Sequence, residues 1–582
     1  MGERRTTGQA LVDGLLAHGV DTVFGLPGVQ TYALFDALGE RSAEIALVGA
    51  RHEQACAYMA LGYAQSSGRT GVCTVVPGPG ILNAAAGLLT AAGTGTPVVC
   101  LTSDVPTAYA GRGMGHLHEM PDQLATVRSF VKWAEAIRHP AQAPALLAEA
   151  FARAVSGRPG PVVLQAPWDV LGMAAEVPAP RVRPPDPPPP VDEPAVRAAA
   201  DLLAAARDPM IMIGGGARHA GAEVRALAEL LGAPVVAQRG GRGVLRDDDP
   251  YAFTGAAGFA RWADTDVLLM LGTRGELTWF RWPERTPGPR LVSIDIDPRQ
   301  HVWRAPAVAV TADARDAAAA LVGLLRDRNA GGQAPRGADP GERAAGEPAP
   351  PAPRASRARR FAAVKEGFRA DVASRLRPHA DYLAAIRAAL PEDGYFVEEI
   401  SQVGFASLFA FPVYAPRHFV TAGHQGTLGF GFPTALGVKA AHRDRAVVSV
   451  TGDGGFLFGA AELATAVQHG LGVVTVVFDN GAYGNVKADQ DRLFGREVGS
   501  VLRNPDFVAL AQAFGADGVR AESPDGLRDA VAGALATGRP TVVHVPMPLD
   551  PAVTPWTYLT PVAAPARPGD DTGPGPGGAT GE

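Results

Sequence analysis

From Thr70 to Ser103 the chain runs through 34 residues without a single charge. An apolar run of that length either crosses a bilayer or lies inside a protein, and its punctuation decides which. Pro77, Pro79, Pro97 and six glycines interrupt it, a density of breakers that a membrane helix of about 20 residues does not tolerate. The β-branched segments Gly71–Val76 and Val98–Thr102 flank a Pro-Gly corner and a small-residue helical stretch. The run therefore reads as buried strand, turn, helix and strand. Parallel strands need such a crossover, and strands hidden on both faces are apolar throughout rather than alternating. This part of the chain is committed to a parallel sheet covered on both sides.

The same alternation extends over residues 1–177, with Val20–Phe24, Ile45–Val48 and Val162–Gln165 as further strands. Pro178–Pro194 is proline-dense, too stiff and too poor in donors for a core, and reads as a linker. A second α/β domain, 195–327, contains the strands Met210–Gly214, Val267–Leu271 and Leu291–Ile296. Residues 328–378 read as a second linker, rich in Gly, Pro, Ala and Arg from 329 to 360 and without evident periodicity. A third domain, 379–550, returns to the alternation with Ala446–Thr451, Val473–Phe478 and Thr541–Val545. The Gly-Pro-rich end, 562–582, is expected to be a disordered tail. The fold class is α/β, with three domains built on parallel sheets.

Composition removes several functions. A net charge of −6 leaves no global positive field for a phosphate backbone, so no nucleic-acid partner is expected. The amphipathic N-terminus is broken by Asp13 and His18, unlike a signal peptide, and no membrane association is expected. Cys56, Cys73 and Cys100 have neither metal nor redox spacing, which suits a reducing cytoplasm.

Four segments carry chemistry. Strand Val448–Thr451 ends in Gly452-Asp453-Gly454-Gly455, and 27 residues after Asp453 a second strand ends at Asp479-Asn480-Gly481. Residues just past the carboxyl ends of parallel strands sit where open α/β sheets bind ligands. A carboxylate oxygen, an amide oxygen and a glycine-rich backbone form a hard-oxygen set suited to Mg²⁺ carrying a polyphosphate; the same residues also fit an Asx turn. Arg51-His52-Glu53-Gln54 follows the apolar run Ile45–Ala50 and opens a helix, where Glu53 alone reads as a partner of the helix dipole. Thr421–Gly431 is glycine-rich before a helix, as close packing alone would explain. Pro77-Gly78-Pro79-Gly80-Ile81-Leu82-Asn83 is a turn into a helix.

In their order along the chain the four segments resemble the motifs of the thiamine-diphosphate-dependent superfamily of 2-oxo-acid decarboxylases and acetolactate synthase large subunits. The resemblance spans most of residues 7–549 and implies pyrimidine-binding, central Rossmann-like and diphosphate-binding domains in turn. It implies that Asp453, Asn480 and the carbonyl of Ala482 hold Mg²⁺, which holds the cofactor's diphosphate, with Gly452, Gly454, Gly455 and Val486 around it. Glu53 matches the glutamate that hydrogen-bonds the aminopyrimidine ring, where a carboxyl must hold or share a proton among apolar neighbours such as Tyr58 and Val76. Gly426 would offer its carbonyl to the 4′-amino group, Leu428 would prop the cofactor in its bent shape, and His424 and Gln425 would contact the diphosphate. Pro77, Gly78 and Asn83 would line the pyrimidine side. The family joins the two cofactor-binding faces across a subunit interface, which implies a homodimer or homotetramer.

The likeness to acetolactate synthases thins where the reaction is chosen. His116-Leu117-His118-Glu119 stands where they carry Phe-Gln-Glu, Gly484-Asn485-Val486 where they carry Gly-Met-Val, and Asp489 at their acceptor-selecting tryptophan. Their flavin segment is replaced by Leu271-Gly272-Thr273-Arg274-Gly275-Glu276, so FAD is doubtful, and Gly214-Gly215-Gly216-Ala217-Arg218-His219 fails the full dinucleotide fingerprint. His116 and His118 fit a surface loop or an incomplete metal pair. Decarboxylases of the superfamily place a histidine in this loop, which makes His118 the catalytic candidate beside Glu53: an imidazole titrates near neutrality and can pass a proton to or from a reacting carbon or carbonyl. The expected function is decarboxylation of a small-molecule 2-oxo acid with transfer of the acyl anion to a carbonyl acceptor, as in acetolactate synthase. A decarboxylase without carboligation, or a specialised lyase or transferase, is the alternative. A silent cofactor-binding paralogue is disfavoured by the presence of Glu53, Asp453 and Asn480 together.

Overall fold

The structure is a computed structural model that describes residues 3–276, 282, 287–302, 305–330 and 354–559. The expected tail and residues 331–353 of the expected second linker lie outside the described residues.

Three six-stranded sheets, each parallel throughout, follow one another along the chain. The first contains β2 (Thr22–Gly25), β3 (Ala46–Gly49), β4 (Gly71–Val75), β5 (Val98–Asp104), β6 (Trp133–Ala136) and β7 (Val162–Pro167), in the order β3-β2-β4-β5-β7-β6. A short antiparallel pair, β1 (Glu3–Thr6) with β8 (Ala174–Val177), ties the ends of this region together. The central sheet contains β9 (Pro209–Ile213), β10 (Val235–Ala237), β11 (Ala252–Thr254), β12 (Val267–Leu271), β13 (Arg290–Asp295) and β14 (Val308–Thr311), ordered β11-β10-β9-β12-β13-β14. The order reverses between β9 and its two neighbours, the doubly wound arrangement whose switch point opens a crevice. The third sheet contains β15 (Tyr395–Glu398), β16 (Phe419–Val420), β17 (Val447–Gly452), β18 (Val474–Asp479), β19 (Asp517–Arg520) and β20 (Thr541–Pro546), ordered β16-β15-β17-β18-β20-β19.

The charge-free run folds as read: β4, the helix Pro79–Thr94 and β5, with both strands buried on both faces except at the final Asp104. Strands absent from the sequence reading include the edge strands β6 and β19, whose Trp-Ala-Glu-Ala and Asp-Gly-Val-Arg sequences carry the charges by which sheet edges resist further pairing. The second linker differs from its reading too, because its described part contains the helix Arg354–Arg375. Phe361, Phe368 and Val372 recur at helical spacing on that helix. Phe361 joins the central core, Val372 the C-terminal one, and Phe368 packs against both.

The first and third sheets share a core through the helices Glu53–Ser67 and Gly431–Ala441. A side chain at Gly62 would collide with the backbone of Thr434, and one at Gly437 with that of Met59, so these glycines set how closely the helices approach. No helix among the described residues is long and apolar enough to cross a membrane.

Candidate functional site

In the third sheet β17 and β18 pair in parallel with Gly452 opposite Phe478, so the residues that follow each strand emerge side by side. Asp453 opens a helix at the end of β17 and is buried. Its Oδ2 accepts from Asn504 Nδ2 at 2.7 Å, and the same amide donates to Asp479 Oδ1 at 2.8 Å. Burial, with the Asp479 charge adding to it, raises the pKa of Asp453. Burial also acts on Asp479, but hydrogen bonds from the Gly481 N–H, His544 and Asn504 outweigh it and hold that carboxyl below its usual range. Asn480 Oδ1 accepts from Ala482 N at 3.1 Å, and Ala482 bridges to Val501.

This donor set fits a hard cation. Two acidic side chains share the Asn504 amide nitrogen, the Oδ1 of the same amide is buried without a hydrogen-bond partner, and the backbone after Asp453 is glycine. A Cβ at Gly455 would lie 2.0 Å from Glu399 Oε1, and one at Gly454 2.5 Å from the Tyr483 ring, so the corner admits only backbone. Glu399 is fully buried and accepts from the N–H groups of Gly429 (3.0 Å) and Gly431 (2.7 Å). Burial pushes its pKa up to about 7. It thereby anchors the segment that carries Gly426 and Leu428, both at least partly solvent-accessible within one chain.

His424 and Gln425 meet neighbours from the first and central domains. Arg274 Nη2 lies 2.9 Å from His424 Nδ1, Arg239 donates to the carbonyl of Gly423, and both His424 and Gln425 pack against Gly93. His424 thus lines a cavity of about 520 Å³ formed with the central sheet and shared with Arg158, Arg218 and Asp295. The glycines of Gly214-Gly215-Gly216 at its floor have a packing reason of their own, since side chains at Gly214 or Gly216 would strike the backbone of Gly272. That loop does not by itself argue for a flavin.

In the first sheet Glu53 opens the helix Glu53–Ser67, just after β3. Its Oε2 accepts from Asn83 Nδ2 at 3.0 Å, and Gly80 lies beside both it and Val76. Tyr58 and Val76 are buried as expected, while Glu53 itself is only half-buried in one chain. Pro77-Gly78 forms the corner after β4. Gly78 has φ +59°, and a side chain there would strike the backbone of His118, 2.6 Å from its carbonyl oxygen. The Gly78 N–H donates to Gln123 Oε1 at 2.8 Å, and Gln123 Nε2 continues to Ser103 O and Gln165.

The loop after β5 is drawn onto this corner. Glu119 accepts from the N–H groups of Gly113, Gly115 and His116, and the His116 N–H leads in holding its carboxyl below the usual range. His118 has φ +66°, a strained value for a side-chain-bearing residue. Its Nδ1 lies 2.9 Å from Gln30 Oε1, while Gln30 Nε2 donates to Leu117 O at 2.9 Å. His116 instead stacks on Tyr109. The first sheet therefore gathers Glu53, Pro77, Gly78, Asn83 and His118, and the third gathers Gly452–Gly455, Asn480 and Ala482. Val486 lies on the helix Gly484–Phe494, which buries none of its residues, and Gln402 Nε2 meets Asn485 Oδ1 at 3.0 Å at its start. Among the described residues no hydrogen bond or ion pair joins Glu53 to Asp453.

Asn504, Glu399, Gln30 and Gln123 were not read from the sequence. Each acts through hydrogen bonds to distant positions and follows no local spacing; Asp479, beside Asn480 at the strand end, was the one neighbour with a positional signal.

Comparison with known proteins gives matches in all three regions. Residues 5–126 match the family model "Thiamine pyrophosphate enzyme, N-terminal TPP binding domain", residues 196–321 that of the central domain, and residues 399–545 that of the C-terminal TPP binding domain. The chain is 38% identical over 519 residues to the probable 2-ketoarginine decarboxylase AruI of Pseudomonas aeruginosa, covering 88% of each chain. It is 31% identical over 596 residues to the probable acetolactate synthase large subunit of Methanocaldococcus jannaschii, covering 96% of this chain and 95% of that one. Acetolactate synthase isozyme 3 large subunit of Escherichia coli is 30% identical over 548 residues, covering 90% and 92%.

Proposed function

Because the chain belongs to the thiamine pyrophosphate enzyme family, we propose that it decarboxylates a small 2-oxo acid at a site built from Glu53, His118 and the Asp453–Asn480 corner. The observation that carries this reading is the juxtaposition of Asp453 and Asn480 at the ends of neighbouring strands, where a buried carboxylate lies beside a second one at Asp479. Asp453, Asn480 and the Ala482 carbonyl would hold Mg²⁺ and, through it, the cofactor's diphosphate. When bound, thiamine diphosphate supplies the carbon nucleophile and the electron sink for loss of CO₂.

The chain's own residues supply position and protons. Glu53, steadied by Asn83, would hold or share a proton with the aminopyrimidine. Glu399 fixes the Gly429–Gly431 backbone, and so the segment on which Leu428 supports the ring. His118, with Nδ1 engaged by Gln30, leaves Nε2 to deliver the proton that completes an aldehyde product. The two halves are completed by a second copy of the chain. Supporting that, Glu53 and Asp453 are not joined within one chain, and Leu82, Leu457 and Phe458 are exposed apolar side chains near the two halves.

For the donor we favour a 2-oxo acid with a cationic side chain. Asp489, exposed and paired with Arg492 at 2.9 Å, places a carboxylate where the resemblance puts a bulky acceptor-selecting tryptophan, and the relative at 38% identity bears the name of a 2-ketoarginine decarboxylase. Carboligation is the second reading, supported by the near full-length likeness to acetolactate synthase large subunits. The deciding experiment supplies thiamine diphosphate and Mg²⁺ with 5-guanidino-2-oxopentanoate or pyruvate and identifies products by mass spectrometry. The guanidino aldehyde is expected. Acetolactate from pyruvate would establish the second reading, and no CO₂ from either would overturn the first.

A further inference from the structure

The backbone that leads into Glu53 is held by the other cofactor-binding domain. Glu462 lies nine residues after Asp453 and is 1% exposed. Its Oε1 accepts from the N–H groups of Arg51 (2.9 Å) and His52 (3.0 Å), and its Oε2 lies 3.2 Å from the same Arg51 nitrogen. Thr465 Oγ1 stands 2.6 Å from Glu462 Oε2 and 3.1 Å from the carbonyl of Gly49. His469 Nε2 accepts from Gly49 N at 3.0 Å, and Arg51 Nη2 donates to Gln468 Oε1 at 2.6 Å.

Four side chains from residues 462–469 thus grip residues 49–52, the link between β3 and the helix Glu53–Ser67. The first N–H groups of a helix and those just before it lack intrahelical acceptors, and a carboxylate there also meets the positive end of the helix dipole. The usual solution is a local side chain, which here caps only Gln54, through His52 Nδ1 at 3.1 Å. The two N–H groups ahead of it are served by a buried carboxylate more than 400 residues away in sequence. Burying a carboxylate is costly unless it is fully hydrogen-bonded, so this contact fixes the backbone far more tightly than an exposed cap would.

We propose that Glu462 is a positioning residue for Glu53: it sets the backbone from which the Glu53 carboxyl reaches the aminopyrimidine. This rests on the catalytic reading of Glu53 given above. A further consequence is mechanical, because the helical run that opens with Asp453 closes on the segment that carries Glu53.

The test uses the full chain with Glu462→Ala, Glu462→Gln and Glu53→Gln. Amide hydrogen exchange by mass spectrometry over residues 47–58, without cofactor, reads the backbone directly. Turnover with thiamine diphosphate, Mg²⁺ and 5-guanidino-2-oxopentanoate or pyruvate, whichever is consumed, reads the consequence. Glu462→Ala is expected to speed exchange there about tenfold and to lower kcat about 100-fold, with KM changed less than about threefold. Glu462→Gln, which keeps one oxygen for both N–H groups, is expected to fall between Ala and wild type, and it carries the test should the Ala variant fail to fold. Wild-type exchange and turnover in Glu462→Gln, or lost turnover with unchanged exchange in either variant, would overturn the proposal. Glu53→Gln separates the two readings: it should lose turnover at wild-type exchange, and retained turnover would sink the role of Glu53 whatever Glu462 does.

Discussion

The first and third sheets are the same object with different chemistry at the corners. Both place their strands in the sequence-relative order 2-1-3-4-6-5, and both lay a helix from the corner after the second strand against its counterpart. After the third strand the first sheet turns through Val76-Pro77-Gly78, which is neutral, and the third through Asp453, a buried acid. After the first strand the first sheet continues with Leu26 and the third with Glu399. After the second strand one carries Glu53 and the other Gly423–Gly426. One scaffold thus yields two faces of different chemistry, which the proposed function assigns to the aminopyrimidine ring and to a cation with its polyanion. The central sheet, with its different strand order, contributes Arg239 and Arg274 to the Gly423–His424 segment.

The sharpest way to break this contrast is at Asp453. Asp453→Ala should remove bound Mg²⁺, measured by elemental analysis after gel filtration, and lower turnover by about 10⁴-fold. Without metal the same change should not lower the unfolding temperature at pH 7, because burial raises the carboxyl's pKa and its ionised form therefore costs stability there. Loss of stability in the metal-free variant would show that Asp453 is structural.

Next in size is Glu53→Gln on the opposite face. Turnover should fall about 10³-fold while the Mg²⁺ content stays at the wild-type level, since Glu53 makes its contact to Asn83 and none to the Asp453 corner. Metal loss in this variant would erase the division of labour between the sheets.

The contrast also has a pH signature. Burial lifts the Glu399 pKa from its ordinary 4.5 to about 7, so the native state binds a proton that the unfolded chain has released between those values. Stability from this group is therefore complete below about pH 4.5 and is lost as pH rises through about 7, by an amount on the order of 3 kcal/mol at most. Thermal unfolding of wild type and Glu399→Gln from pH 5 to 8 reads it: the variant should show a flatter profile. At the equivalent corner the first sheet has Leu26, which does not titrate. Equal slopes in both proteins would mean that Glu399 does not govern the dependence.

What the chain disclosed by itself follows from range. β4, β5, β12, β17, β18 and β20 were legible because strands buried on both faces must be apolar, and the corners at Asp453 and Asn480 because strand ends are where glycine and polar residues abruptly replace Val and Ile. The helix Arg354–Arg375 was hidden by its Ala- and Arg-rich composition, although Phe361, Phe368 and Val372 mark its face. Glu399, Asn504 and Glu462 were illegible for a different reason. Their partners lie 25 to more than 400 residues away, and a lone Glu or Asn in sequence carries no sign of what it will meet. His424 was assigned through the resemblance, and the arginine that meets it comes from another sheet.

The smallest effect concerns the loops after the fourth strands, where the first sheet presents His118 and the third the helix with Val486 and Asp489. Gln30 Nε2 donates to Leu117 O, so its Oε1 must face His118 Nδ1, and that contact places the proton of a neutral imidazole on Nδ1. In the proposed reaction Nε2 is then the atom left to pass a proton to substrate. His118→Ala should lower aldehyde release about 30-fold, and Gln30→Ala, which frees the ring to rotate and to change tautomer, about fivefold. The two changes should not add: in the double variant the loss should equal that of His118→Ala alone, as for residues acting in series. The expected split between products sharpens the comparison further. If His118 supplies the proton that completes the aldehyde, then any carboligation product formed with added acetaldehyde should rise as a fraction of the total in His118→Ala. A constant fraction, or additive losses, would detach His118 from the proton step and leave specificity to the Asp489 face.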